Sequence, residues 1–189
     1  MGKIVISENV SLDGVIQDPS GDEGFGRGGW VGRVTDRPAV GKAALDEALG
    51  AEAFLLGRRT YEFLAARWPS REGALADRLN NLPKYVLSST LEDPEWSNSI
   101  VLKGDAVEEV SKLKQELDGE IVVAGSIQLV RAMIEHNLVD ELRLLVYPVV
   151  LGAGERLFGE SSEAKPLRLT GTRSGDGVAF LTYELAGDV

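Results

Sequence analysis

The chain has 189 residues, 43% of them hydrophobic, and 20 Lys plus Arg against 30 Asp plus Glu give a net charge of −10. That apolar content excludes a disordered chain, the length suits one domain over residues 1–189, and the acidic surplus argues against a nucleic-acid partner, because phosphate binding needs excess Lys and Arg. The lack of cysteine removes disulfides, thiol catalysis and Cys-ligated metal, a lone His136 leaves no His-rich metal site, and no run reaches the roughly 20 apolar residues of a membrane span.

Polar groups arrive by Ser7-Glu8, too early for a signal peptide, and Ile6 stands where a myristoylation signal needs Ser or Thr. A cytoplasmic protein is expected. Lys3 to Val10 reads as a strand. Gly21 to Gly32 reads as a mobile glycine-rich loop. Lys42 to Leu49 has helical spacing, with Gly50 suited to the left-handed position after it. Ala53 to Gly57 is an apolar run fit for a buried parallel strand. Thr60 is expected to cap the next helix, which must end before Pro69.

Lys84 to Ser89 and Ser99 to Leu102 read as strands. Asp105, with Glu108 three residues on, predicts a capped helix carrying Val107, Val110, Leu113 and Leu117, closed by Gly119. Glu120 to Gly125 reads as a strand running into Ser126, the expected cap of a helix to about His136. Leu142 to Val150 is a long apolar strand. Leu167 to Arg173 and Val178 to Leu185 alternate and are joined by Ser174-Gly175-Asp176-Gly177, the pattern of a hairpin. The order predicts an α/β fold: a mostly parallel central sheet flanked by helices, with an antiparallel C-terminal hairpin.

In such a sheet ligands gather outside the carboxyl ends of the strands. Three of these ends stand out. Gly57-Arg58-Arg59-Thr60 joins a glycine, a helix start and two cations, the parts of an anion site. Leu87-Ser88-Ser89-Thr90 offers three hydroxyls. Ala124-Gly125-Ser126-Ile127 puts small residues at a helix start, where a diphosphate can approach backbone amides. Each alone is also an ordinary turn or close packing contact. Neither G-x-G-x-x-G nor a Walker lysine is present. Together the three supply what a phosphorylated dinucleotide needs.

Leu12-Asp13-Gly14-Val15-Ile16, Leu56 to Glu62, Val86 to Ser89 and Val122 to Ser126 resemble the dihydrofolate reductase fold. Ser11-Leu12-Asp13-Gly14, Leu138 to Leu142, Pro148 to Gly154 and Leu157-Phe158 are more similar to the reductase half of the bifunctional riboflavin-biosynthesis deaminase-reductase. The resemblance implies NADPH. Arg58 and Ser89 would hold the adenosine 2′-phosphate, with Gly57, Leu87 and Ser88 beside them. Arg59, Thr60 and the amides of Ser126, Ile127 and Gln128, after Gly125, would hold the diphosphate. Asn9 and Ile16 would line the nicotinamide through backbone groups. The family pairs two glycines after the strand, where this chain has Ala124-Gly125.

The substrate side departs from both patterns. No acid stands near Val40-Gly41, where folate reductases carry a carboxylate, which argues against folate reduction; Asp46 and Glu47 come later. Ser7, Val15 and Ala124 replace the Lys, Lys and Glu usual in the riboflavin-pathway reductase. Asp13 is a candidate substrate or proton residue and also a turn-former, since Asp-Gly is a turn signal. Glu62 is a second proton candidate and also complements a helix dipole; ordered water is the third source. Trp30 is equally a lid over substrate or a packing anchor, and Arg33 and Arg37 are candidates for a phosphorylated substrate, with exposed salt bridging the commoner fate of such residues. Trp68 and Trp96 read as structural. The expectation is an NADPH-dependent reductase of a small heterocycle, 5-amino-6-(5-phosphoribosylamino)uracil among the candidates. The contrasting reading is a nucleotide-binding module without turnover. No metal is expected. The resemblance implies a homodimer through the C-terminal sheet.

Overall fold

Short β-branched runs alternate with helices in the order β1 (Lys3–Ser11), α1 (Pro38–Gly50), β2 (Ala51–Gly57), α2 (Arg58–Ala65), α3 (Ala74–Asn81), β3 (Lys84–Leu87) and β4 (Ser99–Leu102). There follow α4 (Ala106–Glu116), β5 (Glu120–Val123), α5 (Ile127–Glu135), β6 (Glu141–Tyr147), β7 (Leu167–Gly175) and β8 (Val178–Leu185). The computed structural model describes residues 1–33, 38–160 and 163–185. It forms two compact units, Met1–Ile6 with Ala43–Asp140, and Ser7–Lys42 with Glu141–Val189.

The first unit holds parallel strands in the order β4-β3-β2-β5-β1. Consecutive residues Ile4-Val5-Ile6, Leu55-Leu56 and Ile121-Val122-Val123 are all fully buried, so both faces of the sheet are covered. This is why these strands read as unbroken apolar runs rather than alternating ones. Val5, Phe54, Leu56, Val86 and Val122 pack with Leu79, Leu82 and Trp96 in one core cluster. Burial of each such side chain contributes roughly 1.5–3 kcal/mol. The registers Gly57↔Leu87 and Leu55↔Val123 bring the ends of β3, β2 and β5 side by side. Three junctions scattered along the chain thereby become neighbours.

The second unit carries the antiparallel order β6-β8-β7. Asp176 and Gly177, at φ 57° and 77°, make the hairpin turn, and the Asp176 carboxylate accepts the Ala39 N–H at 2.7 Å at the start of α1.

Several local expectations are corrected. Gly50 belongs to α1 and does not terminate it in the left-handed region. α3 is an additional helix between α2 and β3, on which Leu75, Leu79 and the capping Leu82 keep helical spacing. The strand expected to reach Val150 ends at Tyr147, where Val149 N–H folds back onto the Tyr147 carbonyl around Pro148. α4 begins as read, with the Asp105 side chain accepting Val107 and Glu108 N–H, but closes at Leu117 rather than Gly119. The glycine-rich loop folds around Asp18, 1% exposed, whose carboxylate accepts the amides of Gly21, Glu23 and Phe25. Among the described residues no helix is long and apolar enough to cross a membrane.

Candidate functional site

β2 runs out at Gly57, in extended conformation at φ −78° and ψ 161°, and α2 starts at once with Arg58. No side chain caps α2, so its first-turn amides keep no side-chain acceptor and present partial positive charge. Thr60 is not the cap; it is the third helical residue. Arg58 and Arg59 are exposed. Arg58 Nη1 donates to Thr90 Oγ1 at 2.9 Å, and its Nε lies 3.6 Å from Glu62 Oε1. The Arg59 side chain makes no hydrogen bond or ion pair with any described residue.

A second helix start lies against the first. Gly125 and Ser126 are both left-handed, at φ 58° and 54°. The strained step therefore falls at Gly125-Ser126, one residue later than the paired glycines of the resemblance. A Cβ at Gly125 would come within 2.8 Å of Thr60 Oγ1 and 3.1 Å of Thr60 Cγ2, so only glycine fits beside Thr60. Ser126 does not cap α5 with its side chain. Instead Ser126 N–H donates to Thr60 Oγ1 at 2.9 Å, and Gly57 N–H donates to Ser126 Oγ at 2.9 Å. Ser126 Oγ in turn donates to the Ala124 carbonyl at 3.2 Å. The two hydroxyls lace the two helix starts together. That leaves the first turns of α2 and α5, including the amides of Ile127 and Gln128, without side-chain caps.

The hydroxyl run after β3 divides its work. Leu87 pairs in register with Gly57. Ser88 Oγ accepts the Thr90 and Leu91 amides at 3.2 and 3.0 Å and shapes the turn. Ser89 and Thr90 stand exposed, and Thr90 reaches Arg58. Beneath the segment Lys84 is fully buried. Its ammonium donates to the carbonyls of Asn80, Leu82 and Ser97 at 3.1, 2.7 and 3.0 Å and lies 4.3 Å from the Trp96 ring centroid. Burial pushes its pKa down to about 8. Nothing in the sequence singled this lysine out, because a strand-opening Lys ordinarily faces solvent.

The substrate-side candidates lie in the second unit. Asp13 accepts the Ser11 hydroxyl at 2.6 Å, Leu151 N–H at 3.0 Å and Gly152 N–H at 2.8 Å. The Ser11 hydroxyl, then those amides, hold its carboxyl well below the usual carboxylate range. Asp13 thus ties its turn to the 151–152 segment, the turn-forming role. An acid held ionised has no proton to give. Trp30 is 1% exposed, donates to the Gln17 carbonyl at 2.9 Å and packs edge-on against Tyr147 at 5.5 Å, so it is a packing anchor rather than a lid. Ile16 N–H is engaged by the Glu155 carbonyl at 2.9 Å, leaving only its carbonyl for a ligand. Asn9 is half-buried near the end of β1. Arg33 is exposed, and Arg37 lies outside the described residues.

A family model described as the RibD C-terminal domain matches residues 2–179. The chain belongs to this RibD C-terminal domain family. The family is reductase-like, and the fold is the α/β dihydrofolate-reductase type, mostly parallel with antiparallel C-terminal strands. The uncharacterized protein YyaP of Bacillus subtilis (strain 168) is 28% identical over 191 residues, covering 98% of this chain and 96% of its own. A protein of Shewanella sp. PV-4 provisionally assigned to riboflavin biosynthesis superposes with a TM-score of 0.77 at 20% identity, over 98% of this chain and 99% of that one. Dihydrofolate reductase from Enterococcus faecalis, complexed with NADP(H), gives 0.63 at 15% identity, over 98% and 97%. At these identities the structural likeness establishes the fold.

Proposed function

We propose that this RibD C-terminal domain protein is an NADPH-dependent reductase of a small heterocyclic substrate, pyrimidine- or pterin-like. The observation that carries the reading is the meeting of two uncapped helix starts at Gly57-Arg58 and Ser126-Ile127, with two arginines beside them. In a chain of net charge −10 such a cationic, amide-rich spot calls for an anionic ligand. The residues fit a phosphorylated dinucleotide. Gly125 lets Thr60 sit against the start of α5, which holds the two uncapped helix starts side by side. The amides of Ser126 to Gln128 are partly used: Ser126 N–H serves Thr60, so Ile127 and Gln128 carry that part with Arg59. Arg58 and Ser89 take the 2′-phosphate.

NADPH when bound supplies the hydride. The chain's own task is then to bind coenzyme and acceptor and to align their reacting carbons. Asp13 is held ionised and Glu62 faces Arg58, so neither is assigned as proton donor and the proton comes from water. A cytoplasmic location and a homodimer belong to this proposal too, the homodimer as what the family resemblance implies.

Fluorescence titration with NADPH tests the proposal. The wild type is expected to bind, and Arg58→Ala/Arg59→Ala to bind at least about tenfold more weakly, the loss of two charge-assisted contacts. An unchanged affinity in the double variant sinks the reading. Binding without oxidation of NADPH by any member of a pyrimidine and pterin panel favours the contrasting reading, a nucleotide-binding module. The departures at Ser7, Val15 and Ala124 and the structural engagement of Asp13 are what support that contrast.

A further inference from the structure

We propose that the outer edge of β4 is a docking strand for an extended, basic segment of a partner protein, which adds to the sheet of the first unit and seats a side chain in the cleft beside Ile100. Among the described residues β4 pairs with β3 alone. The amides of Lys84 and Ser88 donate to the carbonyls of Asn98 and Leu102, so alternate residues of β4 face β3. Ser99 and Val101 therefore turn their amides and carbonyls outward, and Lys103 its amide. Outward ladder groups of this kind are what an added strand bonds.

Two features go beyond an ordinary sheet edge. Ile100 is 51% exposed and stands in register with Tyr85. Next to them Pro83, Pro94 and Ser99 help to line a cleft of about 470 Å³. Edge strands are normally blunted against pairing, and an exposed isoleucine above an open cleft does the reverse. Ser99 Oγ is buried and has no hydrogen-bond partner among the described residues. Buried polar atoms are ordinarily bonded, and an incoming polar group would supply the missing partner. The cleft lies at the amino ends of β3 and β4, the opposite end from Gly57 and Leu87, so this proposal stands apart from the coenzyme reading.

The charge of the occupant follows from the segment that leads into β4. Glu92, Asp93 and Glu95 are exposed, and Glu95 lines the cleft. None of the three makes a side-chain hydrogen bond or ion pair with a described residue. Unopposed carboxylates beside an apolar cleft attract Lys and Arg and steer their approach. Lys103, past the other end of the strand, is exposed and equally unpaired, so the cations of the partner belong at the 92–95 end. A second copy of this chain fits less well, because it sets one Lys103 against three acids and brings a net charge of −10.

The probes are acetyl-Lys-Arg-Lys-Val-Thr-Val-Thr-amide and the same sequence reversed, which cover the two strand directions. Binding is read by anisotropy of labelled peptide at low and physiological salt, and the contact by amide hydrogen exchange. One direction should bind the wild type and slow exchange of the Val101 and Lys103 amides at least about tenfold. The exposed triple variant Glu92→Gln/Asp93→Asn/Glu95→Gln should bind about tenfold more weakly at low salt, with the gap closing as salt rises. Replacing both valines of the peptide by proline keeps its charge, removes ladder donors and should abolish binding. Failure of both directions to bind, unchanged affinity in the triple variant or for the proline peptide, or unprotected Val101 and Lys103 amides overturns the proposal. Peptide-free self-association that Ile100→Lys abolishes would also overturn it, by making a second copy the occupant.

Discussion

Replacing Gly125 by alanine tests the lacing of the two helix starts. The new Cβ would stand 2.8 Å from Thr60 Oγ1 and 3.1 Å from Thr60 Cγ2. Thr60 must move, and Ser126 N–H then loses its acceptor, which costs about 1–3 kcal/mol for a half-buried donor. Holding a Cβ-bearing residue at φ 58° adds about 1–2 kcal/mol. The sum is about 3 kcal/mol, or a Tm lower by about 6–12 °C for a chain of this length. In a Thr60→Ala background the collision is gone and the hydrogen bond already lost, so Gly125→Ala should cost only the backbone part, about 1–2 kcal/mol. Urea or thermal denaturation of the four proteins closes the cycle, with an expected coupling of about 1–2 kcal/mol. Equal costs in both backgrounds would refute the claim that Gly125 is required by Thr60.

Lys84 should make stability rise with pH on the alkaline side. Its folded pKa of about 8 lies below the ordinary 10.5, so between these values the unfolded chain binds more protons. Relative to Lys84→Met, the wild type should gain up to about 3 kcal/mol over that window, read from urea midpoints; a parallel pair of curves rejects the buried-ammonium argument. At neutral pH Lys84→Met should still be less stable, by roughly 1–3 kcal/mol for each backbone carbonyl that water cannot reach once its donor is gone. Asp13 has the opposite sign. Its lowered pKa means that its advantage over Asp13→Asn is complete above the ordinary carboxylate pKa of about 3.9 and is lost as pH falls through the folded value. Acid titration of both proteins should show the gap constant down to about pH 4 and narrowing below; a gap that narrows between about pH 7 and 5 contradicts the hydrogen-bond account.

What local chemistry dictates was legible along the chain. The runs at Ala53 to Gly57 and Glu120 to Val123 announced buried parallel strands because both of their faces are apolar. The Asp176-Gly177 turn was legible because only such residues enter the left-handed region cheaply. The three candidate junctions were each visible as composition: a glycine with arginines, a hydroxyl run, a small-residue helix start. What stayed hidden were pairings between residues far apart in sequence. Thr60 and Ser126 look like local helix caps, yet each hydroxyl serves a backbone amide 69 or 66 positions away. Asp13 looks like a free acid in a turn and is engaged by amides 138 and 139 residues on. The tertiary structure decided these because a hydroxyl or carboxylate bonds whichever donor the strand order delivers. Here the order β3-β2-β5, which no local spacing encodes, makes neighbours of three strand ends.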